Sequence, residues 1–163
     1  LKEVTSACSA TPYRDELFPP EFQHSLFVCE PANCLVHREI LEEDGVTFTS
    51  HRATNETSAE FLSSEDNWCR PVMALTGPDG ALWVVDMYRF MVEHPEYLPE
   101  VGKKELSPHY RLGEDRGRIY RVVPKGQAAR QIPRMDRRRS KAPARWNASS
   151  SRFRFGRASI SSE

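Results

Sequence analysis

The sequence predicts an all-β protein, namely a partial β-propeller of about two four-stranded antiparallel blades followed by a disordered basic tail. Three observations support this prediction. Short segments rich in β-branched and aromatic residues recur at about eight to twelve residue intervals, separated by turns of Gly, Pro and Asp. No long segment has the periodicity of a strong helix. One strand pair occurs twice in the chain, and repeated antiparallel units are typical of propeller blades.

The first predicted blade follows an irregular lead-in at residues 1–24, where Pro19 and Pro20 exclude a regular helix. Its three strands are placed at 25–31, 34–42 and 46–53. The last two are joined at Asp44 and Gly45, a pair that supplies the positive φ of hairpin turns. The alternation in 46–53 indicates a half-exposed edge strand.

The second predicted blade begins after a polar loop at 54–68, in which "SAEFLSS" is at most a short helical turn. Its strands are placed at 70–76, 81–87 and 117–124. The first two are joined by the turn "GPDG", which has Pro and Gly where turns favour them. Because 81–87 is nearly all apolar, we expect a central strand covered on both faces. The blades together span residues 25–130.

The internal repeat sets the order of the strands. "LFVCE" aligns with "LWVVD", and "LVHRE" aligns with "RIYRV", so the second copy has a much longer hairpin loop. With the strands of a blade labelled outward from the channel, the two tight turns fall at one end of the sheets. The long loops 54–69 and 88–116 fall at the opposite end. Long loops on a rigid scaffold are where binding residues concentrate, so this end is the candidate site.

The candidate site residues come from these loops and the strand ends beside them. They are Trp68, Arg70, Asp86, Tyr88, Arg89 and His94. A tryptophan could stack on a flat ligand and an arginine could hold an anion. The competing interpretation is structural: a tryptophan plug, an arginine bound to loop carbonyls and prolines that stiffen the loop. A loop as long as 87–117 without secondary structure is uncommon unless it has a function.

The four cysteines allow three pairings. Cys29 and Cys34 could face each other across a hairpin, and Cys8 could equally pair with Cys29. Cys69 lies far from these in the sequence. The spacing fits neither a zinc site nor a haem-attachment motif, so no metal site is predicted. A disulfide in an exported parent protein and free buried thiols both stay open.

The formal net charge of zero conceals two different kinds of sequence. Residues 1–124 hold 12 basic and 21 acidic residues, whereas 125–163 hold 11 basic and 2 acidic ones. Residues 131–163 are basic, serine-rich and without periodicity, which predicts disorder. One interpretation is a tether for nucleic acid, with Trp146, Phe153 and Phe155 among the arginines. The favoured one is a frameshifted end, so nucleic acid is not an expected partner.

The start of the chain suggests a fragment or a processed chain. It begins with Leu1 and lacks the charged-then-apolar pattern of a signal peptide. No apolar run approaches the length of roughly 18 residues that indicates a membrane span. Isolated blades would expose unpaired strand edges, so we expect poor solubility or self-association.

Three segments carry a resemblance to a known family: "YRDELFPPEFQHSLFVCEPANCLVHREIL", "NWCRPVMALTGPDGALWVVDMYRFMVEHPEYLP" and "EDRGRIYRVVPKG". They resemble the membrane-bound dehydrogenase propellers of planctomycete-type bacteria, over about residues 5–130. That family is similar to quinone-dependent sorbosone and glucose dehydrogenases. The resemblance implies a six-bladed parent of which this chain is about the last two blades. Cys34 departs from the pattern, since a polar residue such as asparagine is expected there.

The resemblance implies an oxidoreductase of the periplasm or cell envelope that acts on a sugar or alcohol. In such enzymes pyrroloquinoline quinone (PQQ) is held by arginines, stacking and often calcium. By chemistry alone, Arg70, Arg89 and Trp68 are candidates for that role, and no catalytic residue is carried over. A helical-repeat region and a c-type haem domain often follow the propeller. The chain has no CxxCH motif, so the haem domain and the remaining blades would be partners, and this part alone is expected to be inactive.

Overall fold

A computed structural model describes residues 5–92, 94–128 and 130–132 of the chain. Within this part the protein is all-β: two antiparallel sheets and one short α-helix. The tail at 133–163 lies outside the described residues, and so does the interpretation placed on it. No helix in the described part is long and apolar enough to cross a membrane.

The first sheet has the strand order β1-β2-β3-β4. Its strands are β1 (Cys8–Pro12), β2 (Ser25–Glu30), β3 (Leu35–Asp44) and β4 (Thr47–Arg52). A two-residue strand, β5 (Leu62–Ser63), pairs with the start of β3. The sharp turn after β3 uses Gly45 at a φ of 63°, a conformation that glycine adopts without strain. The predicted strands at 25–31 and 34–42 are confirmed as β2 and β3, although β3 extends further, into the turn.

Three expectations for this half of the chain were wrong. The lead-in at 1–24 is not irregular throughout, because Cys8–Pro12 form β1, which pairs with β2 through a bulge at Ser9. The segment "SAEFLSS" is not a helical turn, since it contributes β5 to the sheet. The edge strand β4 is not half-exposed: all but its last residue are exposed.

The second sheet has the order β6-β7-β8, as the sequence predicts. Its strands are β6 (Pro71–Thr76), β7 (Leu82–Asp86) and β8 (Arg118–Val122). The turn between β6 and β7 is closed by the Gly80 amide, which donates to the Gly77 carbonyl at 3.0 Å. Asp79 in this turn is buried and accepts hydrogen bonds from the Ala81 amide and the Trp83 indole. Asp79 is thus a turn residue.

The long segment between β7 and β8 is more ordered than the sequence indicates. It contains α1 (Glu100–Leu106) and short 3-10 turns on either side of it. Pro99 precedes the helix, and Glu100 lies in its first turn, where the helix dipole favours a negative charge. The expectation that residues 87–117 lack secondary structure is therefore wrong.

The sequence repeat is a repeat of strand register. In the first sheet Phe27 pairs with Arg38 and Cys29 pairs with Val36. The aligned residues pair in the same way in the second sheet: Trp83 with Arg121 and Val85 with Ile119. Two hairpins with such different loops therefore have the same cross-strand neighbours. Side-chain alternation then assigns equivalent residues to equivalent faces of the two sheets.

We name the faces by these residues. The leading face carries Phe27, Cys29 and Val36 in the first sheet and Trp83, Val85 and Ile119 in the second. The trailing face carries Leu26 and Val28 in the first sheet and Leu82 and Val84 in the second. The sheets pack the leading face of the first on the trailing face of the second, in a buried cluster that includes Phe27, Cys29, Val36, Ala74, Leu82 and Val84.

The strand β7 is covered on one face only, which corrects the expectation of a strand buried on both sides. Leu82 and Val84 are fully buried on the trailing face, whereas Trp83 and Val85 on the leading face are half-buried. Period-2 alternation of burial is thus present in a strand whose residues are nearly all apolar. The sequence could not show it, because both faces carry apolar side chains.

All four cysteines are free thiols. The register places Cys8 directly opposite Cys29 in β1 and β2, and it places Val36 rather than Cys34 opposite Cys29. A pairing of Cys29 with Cys34 across the hairpin is therefore not favoured. Burial raises the pKa of Cys29 to about 12, so this side chain is a neutral thiol at neutral pH.

Candidate functional site

The long loops meet at one end of the two sheets, as the strand labelling predicts. The clearest contacts are those of the Arg70 guanidinium, which reaches the loop between β2 and β3 and the loop between β7 and β8. It donates to the carbonyl of Pro31 at 2.9 Å and to the carbonyls of Arg89 and Phe90, both at 3.1 Å. A further bond reaches the carbonyl of Ala32. The tight turns lie at the opposite end of their strands.

Arg70 therefore has the structural role that was the alternative interpretation. Its side chain is half-buried, and its donors are directed at main-chain oxygens of two loops. Arginine suits this task because its planar guanidinium carries five donors in a fixed arrangement. The loops are fastened together by it, and its donors are not directed toward a ligand.

The Asp86 carboxylate also accepts its hydrogen bonds from groups within the chain. The side chain is 1% exposed, and Oδ1 accepts from the amides of Arg70 at 2.7 Å and Tyr88 at 2.8 Å. Its other oxygen lies 3.4 Å from Nε of Arg118 and 3.4 Å from the hydroxyl of Tyr120. The point where β7 leaves the sheet is thus fixed by a buried carboxylate.

The repeat contains this device twice. Glu30, which aligns with Asp86, is likewise 1% exposed and accepts from the amides of Thr5 and Ser6, just before β1. Burial raises the pKa of Glu30, but the hydrogen bonds from these two residues outweigh it and the pKa is lowered. In both sheets, a carboxylate at the end of the second strand accepts hydrogen bonds from the segment that leads into the first strand of the same sheet.

Trp68 packs into an aromatic cluster at this end. Its ring centroid lies 5.7 Å from those of Tyr88 and Phe90, at inclined angles. The Arg118 guanidinium lies over the Tyr88 ring at 3.7 Å, a favourable cation–π arrangement. Tyr88 itself has a φ of 51°, which is uncommon for a residue other than glycine. These contacts match the structural interpretation of Trp68 and Tyr88.

A pocket of about 220 Å³ opens in the long loop beside this cluster. It is lined by Met87, Arg89, Met91, Val92, Tyr110, Arg111 and Glu114. Of the residues selected from the sequence, Arg89 lines the pocket. His94 is exposed, and its ring centroid lies 5.6 Å from that of Tyr110. The sequence signal for the other lining residues was only that they belong to the long loop.

The two arginines of the pocket differ in how strongly they are bound by neighbouring groups. Arg111 forms an ion pair with Glu114 at 2.5 Å. Arg89 makes a long hydrogen bond of 3.4 Å to the carbonyl of Arg111. Two guanidiniums on walls that also contain methionine, valine and tyrosine suit a small ligand with an apolar body and an anionic group.

The groups near Asp86 are not arranged for nucleophilic chemistry. Burial and the Asp86 carboxylate raise the pKa of Cys69 to about 11. Burial also raises the pKa of Tyr120. Both groups are therefore protonated at neutral pH. No cluster of His, Cys, Asp and Glu suited to a metal ion occurs among the described residues.

Gly113 is required by the geometry of the pocket wall. Its φ is 91°, and a Cβ at this position would collide with the Tyr88 carbonyl. We expect Gly113→Ala to lower the free energy of unfolding by about 2 kcal/mol, measured by urea denaturation. Gly126→Ala is the matched control, because Gly126 has a φ of 82° but open space around it. Equal losses in the two variants would contradict the predicted collision.

The fold and the loop end define a class: an all-β protein of two stacked antiparallel sheets with a pocket built from one hairpin loop. Comparison of the sequence with protein families then assigns the chain to a family. The chain belongs to the family described as a domain of unknown function (DUF7133), whose profile matches residues 1–126. No curated protein and no solved structure matches it.

Proposed function

We propose that the chain forms two adjacent blades of a β-propeller oxidoreductase of the periplasm or cell envelope that oxidises a sugar or alcohol with a quinone. The supporting observation is the pocket at the loop end, where Arg89 and Arg111 lie beside apolar and aromatic side chains and the carboxylate of Glu114. The repeated register and the stacking of one sheet on the next support the propeller part of the proposal. The remaining blades and a haem domain would be its partners.

The residues of the pocket fit a PQQ-like cofactor. Such a quinone is planar and carries carboxylates, and when bound it would accept two electrons from the substrate. Arg89 would hold one carboxylate by charge-assisted hydrogen bonds, and Arg111 would hold another by exchanging its ion pair with Glu114. Tyr110 would cover part of the ring system. The described residues do not fit calcium, because no cluster of carboxylate ligands is present, so no residue of this chain is proposed as a calcium ligand.

Titration with PQQ tests the proposal, with quenching of the protein's fluorescence as the measure of binding. It is carried out on the chain and on the longer propeller that contains it. We expect Arg89→Ala combined with Arg111→Ala to weaken binding by roughly 100-fold or more, since each charged hydrogen bond contributes about 1.5–3 kcal/mol. Arg116→Ala is the control, because Arg116 is exposed and outside the pocket. Unchanged affinity in the double variant would overturn the assignment of the pocket.

A second candidate function is carbohydrate or protein binding without catalysis. It is favoured by aromatic side chains exposed at the same end, where Tyr97 is 85% and Phe90 36% exposed. Exposed aromatic rings offer contact area at low cost in conformational entropy. Binding of a sugar without any affinity for PQQ, and without sugar-dependent dye reduction by the longer propeller, would favour this second function.

A further inference from the structure

The leading face of the second sheet is exposed where its counterpart is buried. Val36 in the first sheet is 0% exposed, whereas the aligned Ile119 in the second is 55% exposed. Phe27 and Cys29 are fully buried, whereas the aligned Trp83 and Val85 are half-buried. Met73, which pairs with Val85, is 48% exposed. This face therefore has the residues of a sheet-to-sheet contact, and no sheet in the described part of the chain covers it.

The trailing face of the first sheet carries the other half of the same contact. Leu82 and Val84 pack on the first sheet and are fully buried. The aligned residues in the first sheet are Leu26 and Val28, which are identical in type and only half-buried. The chain thus displays both halves of one contact, on opposite outer faces.

We propose that these two faces bind each other between copies of the chain. The leading face of the second sheet in one copy docks on the trailing face of the first sheet in the next copy, repeating the packing within the chain. Such an interface is heterologous, so it leaves a free face at each end of the assembly. Heterologous contacts continue until they close a ring or form an open filament.

The contact between copies is expected to be weaker than the contact within the chain. Where the second sheet has Tyr120 and Val122 on its trailing face, the first sheet has His37 and Glu39. His37 bonds to Glu39 and Glu60, so this part of the face is polar. Association should therefore depend visibly on protein concentration. The inference needs the stacking of the two sheets but not the quinone. It concerns the chain on its own, since in the proposed propeller the neighbouring blades would cover these same two faces.

Sedimentation equilibrium of the full chain tests the proposal with one variant for each face. Met73→Lys with Ile119→Lys blocks the leading face, and Leu26→Glu blocks the trailing face. We expect the wild-type chain to grow beyond dimers as concentration rises, and each variant to be monomeric. An equal mixture of the two variants should form dimers and stop there, because each retains the face that the other lacks. Val46→Lys is the control, since Val46 is exposed at a hairpin tip away from both faces.

Other outcomes would overturn the proposal. These are a wild-type chain that stays monomeric, a wild-type assembly that stops at dimers, and a mixture of variants that stays monomeric, as a face that pairs with itself would give. If Leu26→Glu fails to fold by circular dichroism, the leading-face variant still decides. Added to the wild-type chain, it should shorten the assemblies, because it can bind at one end but cannot extend them. Assemblies of unchanged size would contradict the head-to-tail arrangement.

Discussion

Replacing Asp86 with alanine is expected to lower the free energy of unfolding by about 3 kcal/mol. The change leaves the amides of Arg70 and Tyr88 without their acceptor in a buried position. A buried donor without a partner costs about 1–3 kcal/mol. Arg118 also loses its carboxylate partner at 3.4 Å. Urea denaturation monitored by tryptophan fluorescence measures the loss, and Trp68 at the loop end is one of the three tryptophans that contribute to the signal.

Two further variants separate the causes of this loss. Asp86→Asn retains one acceptor oxygen for the two amides but replaces the oxygen that faces Arg118 and Tyr120 with an uncharged NH2 group, so we expect a loss of about 1 kcal/mol. Glu30→Ala, at the aligned position, should resemble Asp86→Ala because its carboxylate accepts from two amides as well. A loss in Asp86→Asn as large as in Asp86→Ala would show that charge, rather than acceptance from the loop amides, explains the effect.

Arg38→Met is expected to destabilise the chain by about 3 kcal/mol, because it removes one member of a buried polar network. Arg38 is 2% exposed and donates to the Ser25 hydroxyl, to Glu56 at 2.8 Å and to the Glu21 carbonyl. Its guanidinium also lies 3.9 Å from the centre of the Phe22 ring. Methionine replaces the apolar stem but none of these bonds. Thermal unfolding by circular dichroism would detect the change.

Arg121→Met is the matched control for that prediction. Arg121 occupies the aligned position in the second sheet, but its side chain is 47% exposed and pairs with Asp79 alone. Asp79 is buried, but it keeps its hydrogen bonds from the Ala81 amide and the Trp83 indole when Arg121 is replaced, so we expect a loss of about 1–2 kcal/mol, smaller than the loss at Arg38. Comparable losses at the two positions would mean that burial by the neighbouring sheet does not set the energetic difference between the repeats.

The parts of the fold that could be predicted from the sequence are those with local causes. β6 and β7 are joined by a short turn with glycine at its end, and β2 and β3 alternate over adjacent segments. β1 was missed because "CSATP" has few strong strand formers and its pairing with β2 depends on a bulge. The helix α1 was missed because seven residues that include Gly102 give too short a pattern.

The sequence predicted that the long loops lie at one end of the sheets, but it did not predict the contacts of each residue there. The sequence located the loop end and Arg89, because strand polarity alone puts long loops together. It could not separate Arg70 from Arg89, because both are arginines in polar segments. Only the positions of the loop carbonyls decide that Arg70 is bound by the main chain. Gly113 was missed since its constraint comes from the Tyr88 carbonyl, a contact distant in sequence.

Hydroxyl groups of β1 form hydrogen bonds with the main chain at the edge of β6 in the second sheet. Thr11 Oγ1 donates to the Ala74 carbonyl at 2.7 Å, and the Ala74 amide donates to the hydroxyl of Ser9 at 3.0 Å. The amide and carbonyl of Ala74, which would otherwise be a template for an incoming strand, are therefore already bound by side chains. Native proteins suppress amyloid-like strand addition by such protection of edges. The edge of β6 is thus closed to a foreign strand at Ala74, although β1 and β6 belong to separate sheets.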